Sequence, residues 1–126
     1  MKAEIDLRDT IPSTGAFRAC INLKEITFGD GAAYVMPTYL FSICYSLERV
    51  HLCESITALQ QYAFHQCYRL REIEIPASVT YIYGNCFAEC RRLYRIRIPG
   101  TVKTIDGSAF ANCTSLMEAE IGSGVE

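Results

Sequence analysis

The side chains with the most reactive chemistry in this chain are its seven cysteines and two histidines. His51-x-Cys53 and His65-x-Cys67 offer nitrogen and sulfur ligands at short spacing, the donor set of a tetrahedral zinc centre. Cys86 and Cys90 stand four apart, a spacing open to a metal or redox pair. Cys53, beside His51, has the neighbour from which a nucleophilic thiolate is made, provided the thiol is exposed and activated. Asn112-Cys113-Thr114 matches the acceptor pattern for N-linked glycosylation. The glycines form no phosphate-binding loop. What these groups do depends on the elements that hold them.

Those elements repeat. Phe17, Phe41, Phe64, Phe87 and Phe110 are each followed three residues later by a cysteine (Cys20, Cys44, Cys67, Cys90, Cys113). Six residues after each comes a leucine: Leu23, Leu47, Leu70, Leu93, Leu116. The spacing is 24 residues once and 23 thereafter. A fixed period of that size marks a solenoid, in which each unit buries its apolar face against its neighbours. Five cysteines then form a buried column of free thiols, since unpaired cysteine packs as a small hydrophobe. Cys86 stands where other units have Ala16, Ala63 and Ala109, and reads as core too. Only Cys53 lies off both columns. The repeat therefore argues against a disulfide framework, and it places the two His-x-Cys pairs on different sides of a coil, which sets zinc aside.

The unit FHQCYRLREIEIPASVTYIYGNC, residues 64–86, shows the internal pattern. Leu70, Ile73 and Ile75 pass from a spacing of three to a spacing of two, as a chain does on leaving a helical turn for a strand. Pro76 ends that strand, because it has no N–H to donate. Val79 and Ile82, again three apart, read as an irregular or short helical return, and Gly84 as the residue that permits a tight turn. The expected fold class is α/β: about five 23-residue units in one domain, 1–126, with a short parallel sheet on one face. Residues 1–16 read as a partial or capping unit, with Ala3 and Ile5 in an opening strand and Asp9 where a valine is expected. The stretch GDGAAYVMPTYL holds the one extra residue. At the other end EAEIGSGVE stops just after a strand without a polar cap, so the expectation is a piece of a longer array, or an end covered by another copy.

Half of the residues are hydrophobic and 21% are charged, enough for a core and a wetted surface. A net charge of −2 gives no overall electrostatic footprint for nucleic acid. No apolar run approaches the roughly 20 residues that span a bilayer. The opening MKAEIDLRDTIPS carries acids where a leader needs an apolar stretch, so the sequence reads as starting in mature protein or as belonging to a protein that is not exported.

The open face of the strands carries a second ladder. One column runs Glu25, Arg49, Glu72, Arg95, Glu118, and its neighbour Thr27, His51, Glu74, Arg97, Glu120. Parallel stacking sets each charge beside its opposite, so a slip of one unit would bring like charges together. One reading makes this a registry device. The other makes it a mixed-charge binding face with Arg49, His51, Arg95 and Arg97 as contacts. Eight tyrosines and no tryptophan supply a further candidate. Tyr45 and Tyr68 share one position and Tyr81 and Tyr83 flank Ile82, all off the main core columns. They either cover turns or form an aromatic strip, since tyrosine brings contact area at little rotamer cost.

The stretches IEIPASVTYIYGNCFAECRRLYRI and IRIPGTVKTIDGSAFANCTSLMEA fit the composite ItxIpxsVtxIgxxAFxxCxxLxxI, which resembles the BspA-type leucine-rich repeat over roughly residues 11–126. Three units follow it closely. The first two depart, with Ser42-Ile43 and Cys53-Glu54 in place of small residues and proline. The resemblance implies a right-handed leucine-rich-repeat solenoid, often in exported adhesins or ligand-binding proteins of the cell surface, and it brings no catalytic residues. The expectation is a non-enzymatic module without cofactor that binds protein or carbohydrate, with no nucleic acid and no membrane insertion. The alternative is an assembly unit that forms a homo-oligomer through its open end.

Overall fold

The structure is a computed structural model describing residues 1–8 and 12–125; the expectation for Asp9 lies outside the described residues. Ten strands follow in chain order: β1 (Lys2–Asp6), β2 (Glu25–Gly29), β3 (Tyr34–Met36), β4 (Arg49–His51) and β5 (Ile56–Leu59). They continue with β6 (Glu72–Glu74), β7 (Tyr81–Ile82), β8 (Arg95–Ile98), β9 (Thr104–Ile105) and β10 (Glu118–Ile121). All pairings are parallel, between strands one coil apart.

Two expectations need correction. No helix occurs among the described residues, so the α/β class gives way to a β-solenoid. The parallel sheet is also not confined to one face. The return path carries a second sheet, ordered β3-β5-β7-β9, in which Ile82 pairs with Leu59 and Ile105. What looked like helical spacing around each phenylalanine is a run of turns, closed by bonds such as Cys67 N–H to Phe64 O at 3.2 Å.

A backbone feature explains why no helix forms. The residue two after each phenylalanine (Ala19, Ile43, Gln66, Glu89, Asn112) has a positive φ between 58° and 66°, a conformation no right-handed helix contains. This left-handed residue turns its N–H out of its own coil and onto the next. Ala19, Ile43, Gln66 and Glu89 donate to Ser42, His65, Ala88 and Ala111 carbonyls at 2.7–2.9 Å. A second left-handed position lies two before the phenylalanine, at Gly15, Tyr39, Tyr62, Asn85 and Ser108. The tight turn expected at Gly84 is therefore made one residue later, by Asn85.

Inside the coil the phenylalanine rings stack in one column, with centroids 5.5, 5.5, 5.2 and 5.3 Å apart and planes within 19°. Offset stacking adds roughly 0.5–1.5 kcal/mol per pair beyond the area buried. The cysteine column has a role that spacing alone did not show. Cys44, Cys67, Cys90 and Cys113 donate their thiol protons to the carbonyls of Phe17, Phe41, Phe64 and Phe87 in the preceding coil, at 3.1–3.3 Å. Each of these carbonyls also accepts the cysteine N–H of its own coil. A cysteine is thus small enough for the core and still ties one coil to the next.

Irregularity collects in the first two units. The loop after β2 is anchored by reciprocal bonds between Gly31 and Ser55 (2.9 and 3.0 Å), and a Cβ on Gly31 would strike the backbone of Leu7. The register slips once between β3 and β5, where Tyr34 faces Ile56 but Val35 faces Ala58. Buried Tyr34 donates to the carbonyl of Pro12 at 2.7 Å and ties the early chain to the stack.

Ser42 is the one buried side-chain oxygen without a hydrogen-bond partner among the described residues. Its equivalents two and three coils on are Ala88 and Ala111. An unsatisfied buried hydroxyl costs about 1–3 kcal/mol. Ser42→Ala should therefore stabilise the chain by about 1 kcal/mol in urea unfolding; a loss of stability would show that the hydroxyl has a partner in solution.

Candidate functional site

The charged columns expected on the strand side form, but they are interrupted. In the first half Glu25 gathers Lys2 (3.8 Å), Arg49 (3.4 Å) and His51 (3.9 Å). In the second half Arg95 lies between Glu118 (2.8 Å) and Glu72 (3.9 Å), and Arg97 between Glu120 (2.7 Å) and Glu74 (3.7 Å). Hydrogen bonds that Arg95 and Arg97 donate to Glu118 and Glu120 hold both guanidinium groups still more firmly protonated than usual. Lys2 adds a rung before Glu25, which the alternation of the column already pointed to.

Between the halves the ladder is open. The strands of this side form two three-stranded sheets, β1-β2-β4 and β6-β8-β10, and β4 is not hydrogen-bonded to β6. Elsewhere the bond entering each strand is present, as in Glu48 N–H to Lys24 O (2.8 Å) and Tyr94 N–H to Arg71 O (2.9 Å). The corresponding bond from Arg71 to Glu48 is missing. A hollow of 370 Å³ lies across the break, floored by Val50 and Ile73. One wall carries Glu48, Arg49 and His51 and the other Glu72 and Glu74, with Arg95 and Arg97 behind. At one end Glu48 reaches Arg69 of the next coil at 3.7 Å, but among the described residues neither Arg49 nor His51 makes an ion pair with Glu72 or Glu74. The hollow thus brings together four of the expected contact residues.

The tyrosines fall into separate pairs. Tyr45 and Tyr68 stack at 4.9 Å with planes 1° apart, and the Arg91 guanidinium covers the far face of Tyr68 at 4.7 Å. This pair occupies the corner leading into the strand side. Tyr81 and Tyr83 lie on the other sheet, 4.2 Å apart, where the Tyr81 hydroxyl donates to Asp106 at 2.7 Å and has its pKa raised by that bond. Tyr39 and Tyr62 form a third stack at 5.0 Å, with Arg18 over Tyr39 and His65 edge-on to Tyr62. Arg18 and Arg91 were missed in the sequence, although Arg91 occupies the repeat position of Tyr45 and Tyr68 and so had to meet them.

The residues with metal or nucleophile chemistry are engaged separately. His51 turns towards Glu25, while the Cys53 thiol points at the Gly29 carbonyl (3.6 Å). His65 packs on Tyr62, and burial lowers its pKa. Cys67 and Cys86 are fully buried, and desolvation pushes both thiols well above their ordinary range. Asn112 and Thr114 of the glycosylation pattern are exposed, with Cys113 half-buried between them.

The pattern described as BspA type leucine rich repeat region matches residues 9–126 in six copies. The chain belongs to the BspA-type leucine-rich repeat family. Among solved structures this BspA-type chain is similar to a leucine-rich cell surface protein from Faecalibacterium prausnitzii, at 32% identity and TM-score 0.86. The match covers 94% of this chain and 31% of that one. It is similar also to the leucine-rich repeat protein of T. pallidum, at 27% identity and TM-score 0.78, over 89% of this chain and 50% of that one. A leucine-rich repeat protein from Bacteroides ovatus shares the fold at 17% identity and TM-score 0.55. The chain thus spans half or less of the length of these relatives. No curated protein matches it.

The BspA-type thiol column sets a pH dependence. Burial raises the Cys44 and Cys113 thiols from 9.0 to about 12. The folded state therefore keeps them neutral where the unfolded chain ionises them. Their contribution is complete below pH 9.0 and is lost as pH rises towards about 12. Thermal melts should be flat in this respect up to pH 9.0 and then fall, and Cys44→Ala should flatten the alkaline limb. A melt with no alkaline limb would contradict the buried, neutral column.

Proposed function

We propose that this BspA-type chain is a non-enzymatic recognition module that holds a protein or carbohydrate ligand against its strand-side face. The observation that carries this is the break between β4 and β6. A closed ladder has every charge answered by its neighbour and little left for a ligand. At the break Arg49 and His51 face Glu72 and Glu74 without meeting them, and the strand edges on either side lack their usual partners. A ligand segment bearing both an acid and a base can answer the two walls at once. The similarity to a cell surface protein supports an exposed setting for such a face. Tyr45 and Tyr68, and separately Tyr81 and Tyr83, are contacts of the same module on its flanks.

The test is a screen of the chain on protein and glycan arrays, followed by affinity measurements with the variants. Arg49→Ala with His51→Ala should weaken binding about tenfold with an unchanged circular dichroism spectrum, as loss of interface hot spots does. Substituting the four tyrosines by alanine in pairs should give smaller losses. Ligands held equally by all variants would sink the assignment.

The far end of the stack favours a second reading. Met117 and Ile121 are 86% and 57% exposed, and among the described residues the outer edge of β10 has no strand beside it. Apolar side chains around an open parallel edge are a template for another coil. In this reading two copies associate there. Sedimentation should show mass rising with concentration, and Ile121→Lys should hold the chain monomeric. A strict monomer at high concentration would exclude it.

A further inference from the structure

The corner between the phenylalanine turns and the strand side has a charge unlike the rest of the chain. Lys24, Arg69, Arg71, Arg91 and Arg92 all lie there, against Glu48 and Glu89 as the acids. This is a local excess of three positive charges in a chain whose net charge is −2. Arg69 reaches Glu48 at 3.7 Å and Arg91 reaches Glu89 at 3.9 Å. Arg71 and Arg92 are exposed and make no ion pair among the described residues, in contrast to the sheet arginines, which are answered on one or both sides.

We infer that this corner binds a linear acidic polysaccharide, through its sulfate or carboxylate groups, running along the axis of the stack. Equivalent positions in successive coils lie about 4.8 Å apart. The corner therefore presents Arg69 beside Arg92, and Arg71 beside Tyr94, as two short parallel columns of donors along the axis. Guanidinium groups match carboxylate and sulfate oxygens with paired N–H bonds. The faces of Tyr68 are already covered by Tyr45 and Arg91, so these rings offer their edges and hydroxyls. Those are hydrogen-bonding groups and short apolar contacts, which suit a hydroxylated sugar chain.

Backbone geometry separates this ligand from an acidic peptide. Some N–H groups of the corner are consumed, as in Leu70 to Cys67 O, Leu93 to Cys90 O and Tyr94 to Arg71 O. Arg69, Arg71, Arg91 and Arg92 lie outside the strands, in turns and irregular backbone, so a peptide would find no extended strand edge along the corner and only its side groups would be read. The corner adjoins the hollow of the sheet face, with Glu48 common to both, but Arg71 and Arg92 are not among the hollow's lining residues, so their variants read the corner alone.

The experiment uses the whole chain on immobilised heparin as a sulfated probe and polygalacturonate as a carboxylated one, with dextran as a neutral control and polyglutamate as the peptide. Retention on heparin or polygalacturonate, but not on dextran, is the expected result, and the stronger of the two names the acid. Binding should fall steeply as salt is raised from about 50 to about 200 mM. Arg71→Gln with Arg92→Gln should lose about tenfold in affinity, with an unchanged melting curve, whereas Arg95→Gln with Arg97→Gln should lose little. No retention on either acidic glycan, or binding indifferent to salt, overturns the proposal. Polyglutamate held as tightly as the glycans overturns the choice of ligand, and equal loss in the sheet variants overturns the location.

Discussion

Everything in this molecule follows from one constraint: each coil must lie one hydrogen-bond spacing from the next. Parallel strands impose that distance on two sides, at about 4.8 Å. The left-handed residues after each phenylalanine impose it at the third, by aiming an N–H along the axis. Non-glycine residues in that conformation are strained, at roughly 1–3 kcal/mol each. The strain is tolerated because the alternative leaves a carbonyl of the next coil unpaired. Ile43 shows how strong the demand is, since a β-branched residue is poorly suited to a φ of 65°. Once the spacing is set, any side chain repeated at one position must stack on its own kind. Flat phenylalanine rings fit such a column, and so does a thiol that can reach the carbonyl one coil away.

The same constraint accounts for the break in the strand-side sheet. Its two sheets divide the chain where the repeat changes character. Strands β1, β2 and β4 belong to the irregular early units, and β6, β8 and β10 to units that follow the motif closely. The unit at the junction has Cys53-Glu54 where its successors have Pro76-Ala77 and Pro99-Gly100, and its return strand β5 carries the register shift. The phenylalanine column and the second sheet run through the junction without interruption. The coils therefore stay attached on two sides while the third opens. Such an arrangement produces a hollow without loosening the core.

Columns were legible in the sequence and their geometry was not. The spacing of Phe17 to Phe110 and of the cysteines identified the core, and the alternating run from Glu25 to Glu118 identified which strands are neighbours. Each depends on identity at a fixed period, which a single sequence displays directly. The second sheet was hidden because Tyr81–Ile82 and Thr104–Ile105 are only two residues long, too short for alternation to show. The helical turn was misread because spacings of three occur in turns as well as helices, and nothing in Ile43 or Gln66 announces a positive φ. The hollow at Arg49 and His51 left no trace in composition, since a missing hydrogen bond between coils is a property of their packing. Its location was nonetheless implied by the point at which the motif becomes irregular.

A solenoid writes its sequence onto its surface as columns, and the columns divide by whether their members answer one another. The phenylalanines stack on phenylalanines, and Arg95 and Arg97 lie between glutamates. Such columns spend their interactions on holding neighbouring coils together. The corner column is different in kind. Isoleucine, tyrosine, tyrosine, arginine and threonine follow one another at Ile21, Tyr45, Tyr68, Arg91 and Thr114, and Arg69 and Arg92 stand side by side with like charge. Two cations one coil apart repel, and of the two only Arg69 is answered, by Glu48 at 3.7 Å. Within a stack so economical in its repeated positions, like charges left in register at an exposed edge are the charge that the proposed acidic ligand would answer.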